Sequence, residues 1–156
     1  MKRTRIFVLL ALLAVLVSCT KGKGSKDALD GEWKMESYYG NDAAGSAVPA
    51  DVYIRFDGGQ FDLFQKLGGG HFRRYSGTYT YNGGTVSGTY DSGLSWASDY
   101  FVSFGEDGRM SFSQYVNDGE YVCIYVRTPI PDAVRADADD FGTVKSTAVP
   151  DENLWL

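Results

Sequence analysis

His71 is the only histidine in the chain and Cys19 and Cys123 the only cysteines, so three residues set the ceiling on the chemistry available. One imidazole does not build a multi-histidine metal site, and a Cys–His pair needs a cysteine that ionises beside it. Cys123 lies in the strand-like apolar run from Tyr121 to Val126, where a lone thiol behaves as a small buried hydrophobe. His71 follows Gly68-Gly69-Gly70, but neither a Gly-Lys-Ser/Thr nor a helix follows those glycines, so they are not a phosphate loop. No Gly-x-Ser-x-Gly elbow presents a serine nucleophile. Asp57, Asp107 and Asp118 belong to glycine turns, and Asp62 is set to face Arg55 across two strands, so the aspartates form no acid–base pair with a supporting environment. The reading is a protein without catalysis, metal or cofactor.

What remains are side chains suited to binding. Tyr39, Tyr75, Tyr90 and Tyr100, with Tyr115 and Tyr121, fall at strand ends beside long loops, and His71, Arg73 and Trp96 lie in or next to those loops. Tyrosine offers an apolar face and a hydroxyl handle. The candidate ligand site is therefore Tyr39, His71, Arg73, Tyr75, Tyr90, Trp96 and Tyr100, suited to a small amphipathic or apolar molecule or a glycan. The alternative is a filled barrel that meets a protein partner through its long loops, as an accessory subunit or inhibitor.

These residues converge only if strands hold them. Arg74 to Tyr90 reads as a β-hairpin; with Asn82-Gly83 at the centre of a type I′ turn, Tyr79 faces Val86, Gly77 faces Gly88 and Tyr75 faces Tyr90. Thr80 and Thr85, Thr78 and Ser87, and Ser76 and Thr89 then share the other face. The facing glycines leave a hollow for a neighbouring ring or a ligand, the ring being favoured.

Further strands are expected at Glu32–Tyr39, Val52–Phe56, Gln60–Gln65 and Tyr100–Phe104, with Val52, Ile54, Phe56, Phe61 and Leu63 on one core face. A three-residue loop at Glu106-Asp107-Gly108 opposes Phe104 to Met110 and Val102 to Phe112. The same device at Asn117-Asp118-Gly119 opposes Phe112 to Ile124 and Met110 to Val126, whereas a two-residue Asp118-Gly119 turn points Tyr121, Cys123 and Tyr125 inward.

The fold class is all-β, an eight-stranded antiparallel up-and-down barrel over residues 29–131. Such a barrel is filled by side chains or holds one small ligand. The long connections, residues 40–50, 66–71 and 91–99, collect at one mouth and tight glycine turns close the other end. Residues 132–156 are read as a short helix to about Ala138, packed on the wall, followed by a loose acidic tail.

The N-terminus gives an address. Met1 to Ser18 combines Lys2, Arg3 and Arg5 with an apolar run from Ile6 to Val17 too short to cross a bilayer, which is an export signal. Leu16-Val17-Ser18-Cys19 resembles the lipobox of bacterial lipoproteins. That resemblance implies that Cys19 is acylated, with palmitate-type chains, that residues 19–28 are a lipidated tether, and that the protein is an outer-membrane lipoprotein whose first partner is the bilayer. Loss of residues 1–18 removes three cations and moves the formal charge from −5 to −8. That balance argues against nucleic acid as a partner.

Leu29-Asp30-Gly31-Glu32-Trp33 opens the first strand with Gly-x-Trp, which resembles the lipocalin (calycin) signature. The resemblance implies that Trp33 plugs the closed end with a basic residue from the last strand packed over it, and Arg127 stands in that place. Ser98-Asp99-Tyr100 is similar to the family's Thr-Asp-Tyr motif, although three strands follow it here instead of two. Residues 29–131 thus resemble the small lipocalin-like lipoproteins of Gram-negative bacteria.

Overall fold

The computed structural model describes residues 26–40, 43–46, 50–67, 70–116 and 119–140. The export signal, Cys19, the Asp118 turn and the tail from residue 141 lie outside these. The elements are α1 (Lys26–Leu29), β1 (Gly31–Gly40), β2 (Ala43–Ser46), β3 (Ala50–Asp57), β4 (Gln60–Leu67), β5 (Arg73–Asn82), β6 (Thr85–Tyr90), β7 (Tyr100–Phe104), β8 (Met110–Val116), β9 (Gly119–Arg127), α2 (Asp132–Asp137) and β10 (Asp139–Asp140). From β3 to β9 each strand pairs antiparallel with the next, and β1 lies between β3 and β9, so eight strands close into an up-and-down barrel. β2 folds back on the end of β1, and β10 adds in parallel to the start of β5. Closure leaves no strand of the barrel without a partner on either side.

Period-two alternation produces the wall. On β5, Tyr75, Gly77 and Tyr79 are buried while Arg73, Thr78 and Thr80 are exposed. Val52, Ile54, Phe56, Phe61 and Leu63 share the core, with Ile54 opposite Leu63 and Phe56 opposite Phe61. Phe104 opposes Met110 and Val102 opposes Phe112, as the three-residue loop requires.

Three expectations need correction. The β5–β6 turn is centred on Gly83-Gly84, with φ of 61° and 98°, and Asn82 stays in the strand opposite Thr85. A type I′ turn needs positive φ at both central residues, which two glycines adopt without the side-chain penalty that an asparagine carries. The register is shifted by two residues, so the faces survive but the partners change: Gly77 opposes Tyr90 and Gly88 opposes Tyr79. There is no facing glycine pair. A Cβ at Gly88 would collide with the Trp96 indole, and one at Gly77 with the Thr89 carbonyl and the Phe61 ring, so rings occupy both places.

The second correction concerns β8 and β9, where Val116 opposes Gly119, Phe112 opposes Cys123 and Met110 opposes Tyr125. Neither expected turn applies: Gly119 already belongs to β9, two residues off the Asp118-Gly119 register but with the same parity, so Cys123 and Tyr125 point inward. Directly opposed residues share a face, and Met35, inward on β1, is opposite Tyr125. Third, residues 26–28 of the expected tether belong to α1, which is held at the barrel by the fully buried Leu29.

A second apolar cluster lies outside the wall, where Ile130 and Val134 cover Tyr53, Phe64 and Phe72. The C-terminal helix packs on the barrel as expected, anchored by Arg135 and the Ile130 amide, which both donate to the Glu32 carboxylate.

Candidate functional site

The closed end is built from one residue upward. Trp33, almost fully buried, donates its indole N–H to the Leu29 carbonyl at 2.8 Å. The Arg127 guanidinium lies 4.3 Å from the centre of the same indole and donates to the Asp30 carbonyl at 3.0 Å and the Ala28 carbonyl at 3.1 Å. Gly31 has a φ of 134°, and a Cβ there would strike that guanidinium. Gly31, Trp33 and Arg127 are thus one plug, as the Gly-x-Trp resemblance implied. The Asp30 carboxylate extends it by accepting the Tyr79 hydroxyl at 2.8 Å.

Above the plug a column of rings fills the barrel. Phe56 meets Tyr79 edge-on at 4.9 Å and stacks on Phe112 at 5.9 Å, and Phe112 touches Tyr100 and Tyr125, each at 5.7 Å. Tyr100 meets Trp96 at 6.0 Å, Trp96 meets Phe61 at 5.0 Å, Phe61 meets Tyr90 at 5.6 Å, and Tyr90 meets Tyr75 at 6.2 Å. Four of the seven expected ligand residues, Tyr75, Tyr90, Trp96 and Tyr100, therefore belong to one buried cluster. Trp96 reaches it because the loop after β6 folds back: Tyr90 donates its amide to the Leu94 carbonyl at 2.8 Å, and Trp96 donates to the Gly88 carbonyl at 2.9 Å.

The other three do not join. A bulge at Glu36, between the Met35–Tyr125 and Ser37–Ile124 pairs, reverses the alternation of β1. Tyr38 consequently packs on the core while Tyr39 is exposed. His71 is exposed and bound at Nδ1 to the Asp137 carboxylate at 2.7 Å; the other oxygen of Asp137 accepts the Phe72 amide at 3.0 Å. That hydrogen bond, with the charges of Asp137 and Asp139, raises the pKa of His71 above the ordinary histidine range. Arg73 is exposed and stands opposite Asp139 of β10. These two residues dock the C-terminal segment. Tyr115 is exposed beside Phe101, and Tyr121 stacks on Tyr38.

The interior is neutral. Among the described residues no Asp, Glu, Lys, Arg or His is buried, and Gln65 is the buried polar exception. Burial pushes the phenols of Tyr90, Tyr100 and Tyr125 well above the ordinary tyrosine range, with neighbouring phenols adding to the effect at Tyr90, the Cys123 thiol at Tyr100, and both at Tyr125. Burial likewise pushes the Cys123 thiol up to about 12. The Trp96 indole N–H and the Tyr125 hydroxyl are both buried with no hydrogen-bond partner among the described residues. Such orphaned groups are rare in native proteins, because each forfeits its hydration without replacement. Tyr125 is the interior residue that the favoured three-residue turn misses; the parity of the Asp118-Gly119 alternative is the signal that finds it. Among the described residues no group of three His, Cys, Asp or Glu side chains is placed to hold a metal ion.

A family model described as a lipocalin-like domain matches residues 29–112. Two solved structures are similar to the chain. An uncharacterized protein from Bacteroides eggerthii DSM 20697 is 16% identical with a TM-score of 0.45, the match covering 63% of this chain and 99% of that one. A lipocalin-like protein from Bacteroides uniformis ATCC 8492 is 18% identical with a TM-score of 0.45, covering 62% of this chain and 96% of that one. No curated protein matches.

Proposed function

This chain belongs to the lipocalin-like domain family, a fold suited in general to small-molecule binding, and from that premise we propose that it is a lipid-anchored binding protein without catalytic activity. Its ligand is a small amphipathic or apolar molecule, or a glycan, taken up from the open end against Tyr75, Tyr90, Trp96 and Tyr100. Cys19 carries the acyl anchor and places the barrel at the outer membrane. The observation that supports this reading most is the pair of buried polar groups without partners, the Trp96 N–H and the Tyr125 hydroxyl, within a cluster of neutral phenols. A ligand acceptor reaching either group would supply the hydrogen bond it lacks.

Nile red, a neutral amphiphile with a ring carbonyl, tests the proposal by fluorescence titration. Tyr125→Phe removes one donor with little change of shape and Trp96→Phe removes the other with a smaller ring, and each is expected to weaken binding by about tenfold or more, the loss of at least one hydrogen bond. Unchanged affinity in both variants, with the fold intact, would refute the interior site. Cys19→Ser should release the protein from the membrane fraction, and retention there would refute the anchor.

A filled barrel acting through a protein partner is the second reading. It is favoured by the exposed ring pair Phe101 and Tyr115, 54% and 66% accessible and 6.3 Å apart on the outer face of β7 and β8. Crosslinking in the native membrane should then capture a partner that Phe101→Ser loses.

A further inference from the structure

The outer face of β3, β4 and β5 carries a cleft of about 460 Å³, which shares no residue with the plug, touches the ring column at Phe61, and falls within the size range of small-molecule sites. It is bounded on one side by Asp91, just past the end of β6, and on the other by Asp140 of β10. These are the two segments that share the edge of β5: β6 leaves it at Gly77, and β10 takes it up at Arg73 and Arg74.

The centre of the cleft is organised before any ligand arrives. Asp62, with only 14% of its side chain accessible, accepts from Arg74 Nε at 3.0 Å, Arg74 Nη2 at 2.7 Å and the Ser76 hydroxyl at 2.7 Å, and pairs with Arg55 at 3.5 Å. Arg55 also bonds Asp57, and Arg74 donates to Asp140 at 3.3 Å. Both guanidiniums are thus fixed by carboxylates. Gln60, Thr78 and Asp91 also line the cleft, and among the described residues their side chains take no partner.

This chemistry selects by charge. Four carboxylates surround two guanidiniums that they already neutralise, so an anion meets net negative charge and no uncommitted cation. An ammonium group is drawn by the net charge and by Asp91 but has to share the cleft with the same two guanidiniums, whose repulsion offsets that gain. A neutral polyhydroxylated molecule avoids both conflicts, because each hydroxyl donates to one lining group and accepts from another. We propose that this cleft binds a neutral saccharide, held by Gln60, Thr78 and Asp91 against the Asp62–Arg74 scaffold.

The test is a titration of the isotope-labelled whole chain in detergent micelles with maltose, cellobiose and lactose, read by amide chemical shifts. The glucosamine dimer and a glucuronate-containing disaccharide serve as charged comparators. At least one neutral disaccharide is expected to shift the amides of Gln60, Thr78 and Asp91. Gln60→Ala and Asp91→Ala, which break no side-chain hydrogen bond or ion pair among the described residues, are expected to weaken that binding by about tenfold each. Absence of shifts with all three neutral sugars, shifts confined to Trp96 and Tyr100, or equal or tighter binding of a charged comparator would each overturn the proposal.

Discussion

Replacing Arg127 tests the closed-end plug most directly. Its guanidinium sits 4.3 Å from the Trp33 ring centre and bonds two carbonyls of the segment that leads into β1. At an exposed position a cation–π contact contributes about 0.5–1 kcal/mol. The two carbonyl bonds contribute roughly 0.5 kcal/mol each once water is allowed to replace the donor, the low end for intramolecular hydrogen bonds. Arg127→Met keeps the aliphatic stem and loses both, so the barrel should be destabilised by about 2 kcal/mol, or about 8–16 °C in Tm for a domain of this size. Urea unfolding followed by tryptophan fluorescence reads the change. Arg127→Lys keeps a cation over the ring but not the fork, and should recover about half of the loss. Gly31→Ala should be costly in the wild type, because φ is 134° and the new methyl meets the guanidinium, and less costly in the Arg127→Met background. Arg127→Met within about 0.5 kcal/mol of wild type, the scatter of ordinary surface substitutions, would refute the plug as a stabilising unit.

Gly88→Ala forces the Trp96 indole out of its seat and should cost about 1–3 kcal/mol, with a shift in tryptophan emission; a neutral effect would mean the ring moves freely. Cys123, buried and with its thiol pushed up to about 12, should resist thiol reagents at mildly alkaline pH until urea unfolds the barrel; labelling at the rate of a free thiol would contradict the inward register of β9. The raised pKa of His71 means that its bond to Asp137 stabilises α2 docking fully below the ordinary histidine value of about 6.5 and is lost as pH rises through the raised folded value. Asp137, whose pKa that bond lowers, loses its contribution only as pH falls through its own depressed value. Exchange of the Val134 amide should therefore accelerate beyond the intrinsic trend as pH rises through the raised His71 value in wild type but not in His71→Gln, and identical profiles would exclude this role for the bond.

The faces of the strands were legible because side-chain direction has period two. At β5–β6 both Asn82-Gly83 and Gly83-Gly84 can make the turn, and the choice between them moves the register by two residues, which leaves Tyr75, Tyr79 and Tyr90 inside either way. At β8–β9 the choice between a two- and a three-residue turn changes parity, and the deciding constraint came from Met35 on β1, across the barrel seam. The bulge at Glu36 has no local signature, so Tyr39 was expected at the mouth while Tyr38 took the inner position. His71 was read as a mouth residue because its partner, Asp137, is 66 residues away and belongs to a helix known only roughly from Pro131 and Asp132. Gly-x-Trp and Arg127 succeeded because the plug depends on residue identity at fixed strand ends and tolerates such slips.

The way α1 runs into β1 has a mechanical consequence. Load applied at Lys26 enters at Leu29 and Trp33 and is directed along β1, which is paired with β3 over Gly31–Lys34 and with β9 over Trp33–Tyr39. Antiparallel hydrogen bonds run perpendicular to the strands, so a pull along β1 shears many of them together instead of peeling them one at a time. Arg127 crosses from β9 to the carbonyls of Ala28 and Asp30 and stitches the point where tearing would begin. A tether attached ahead of Lys26 therefore loads the barrel where rupture shears hydrogen bonds together.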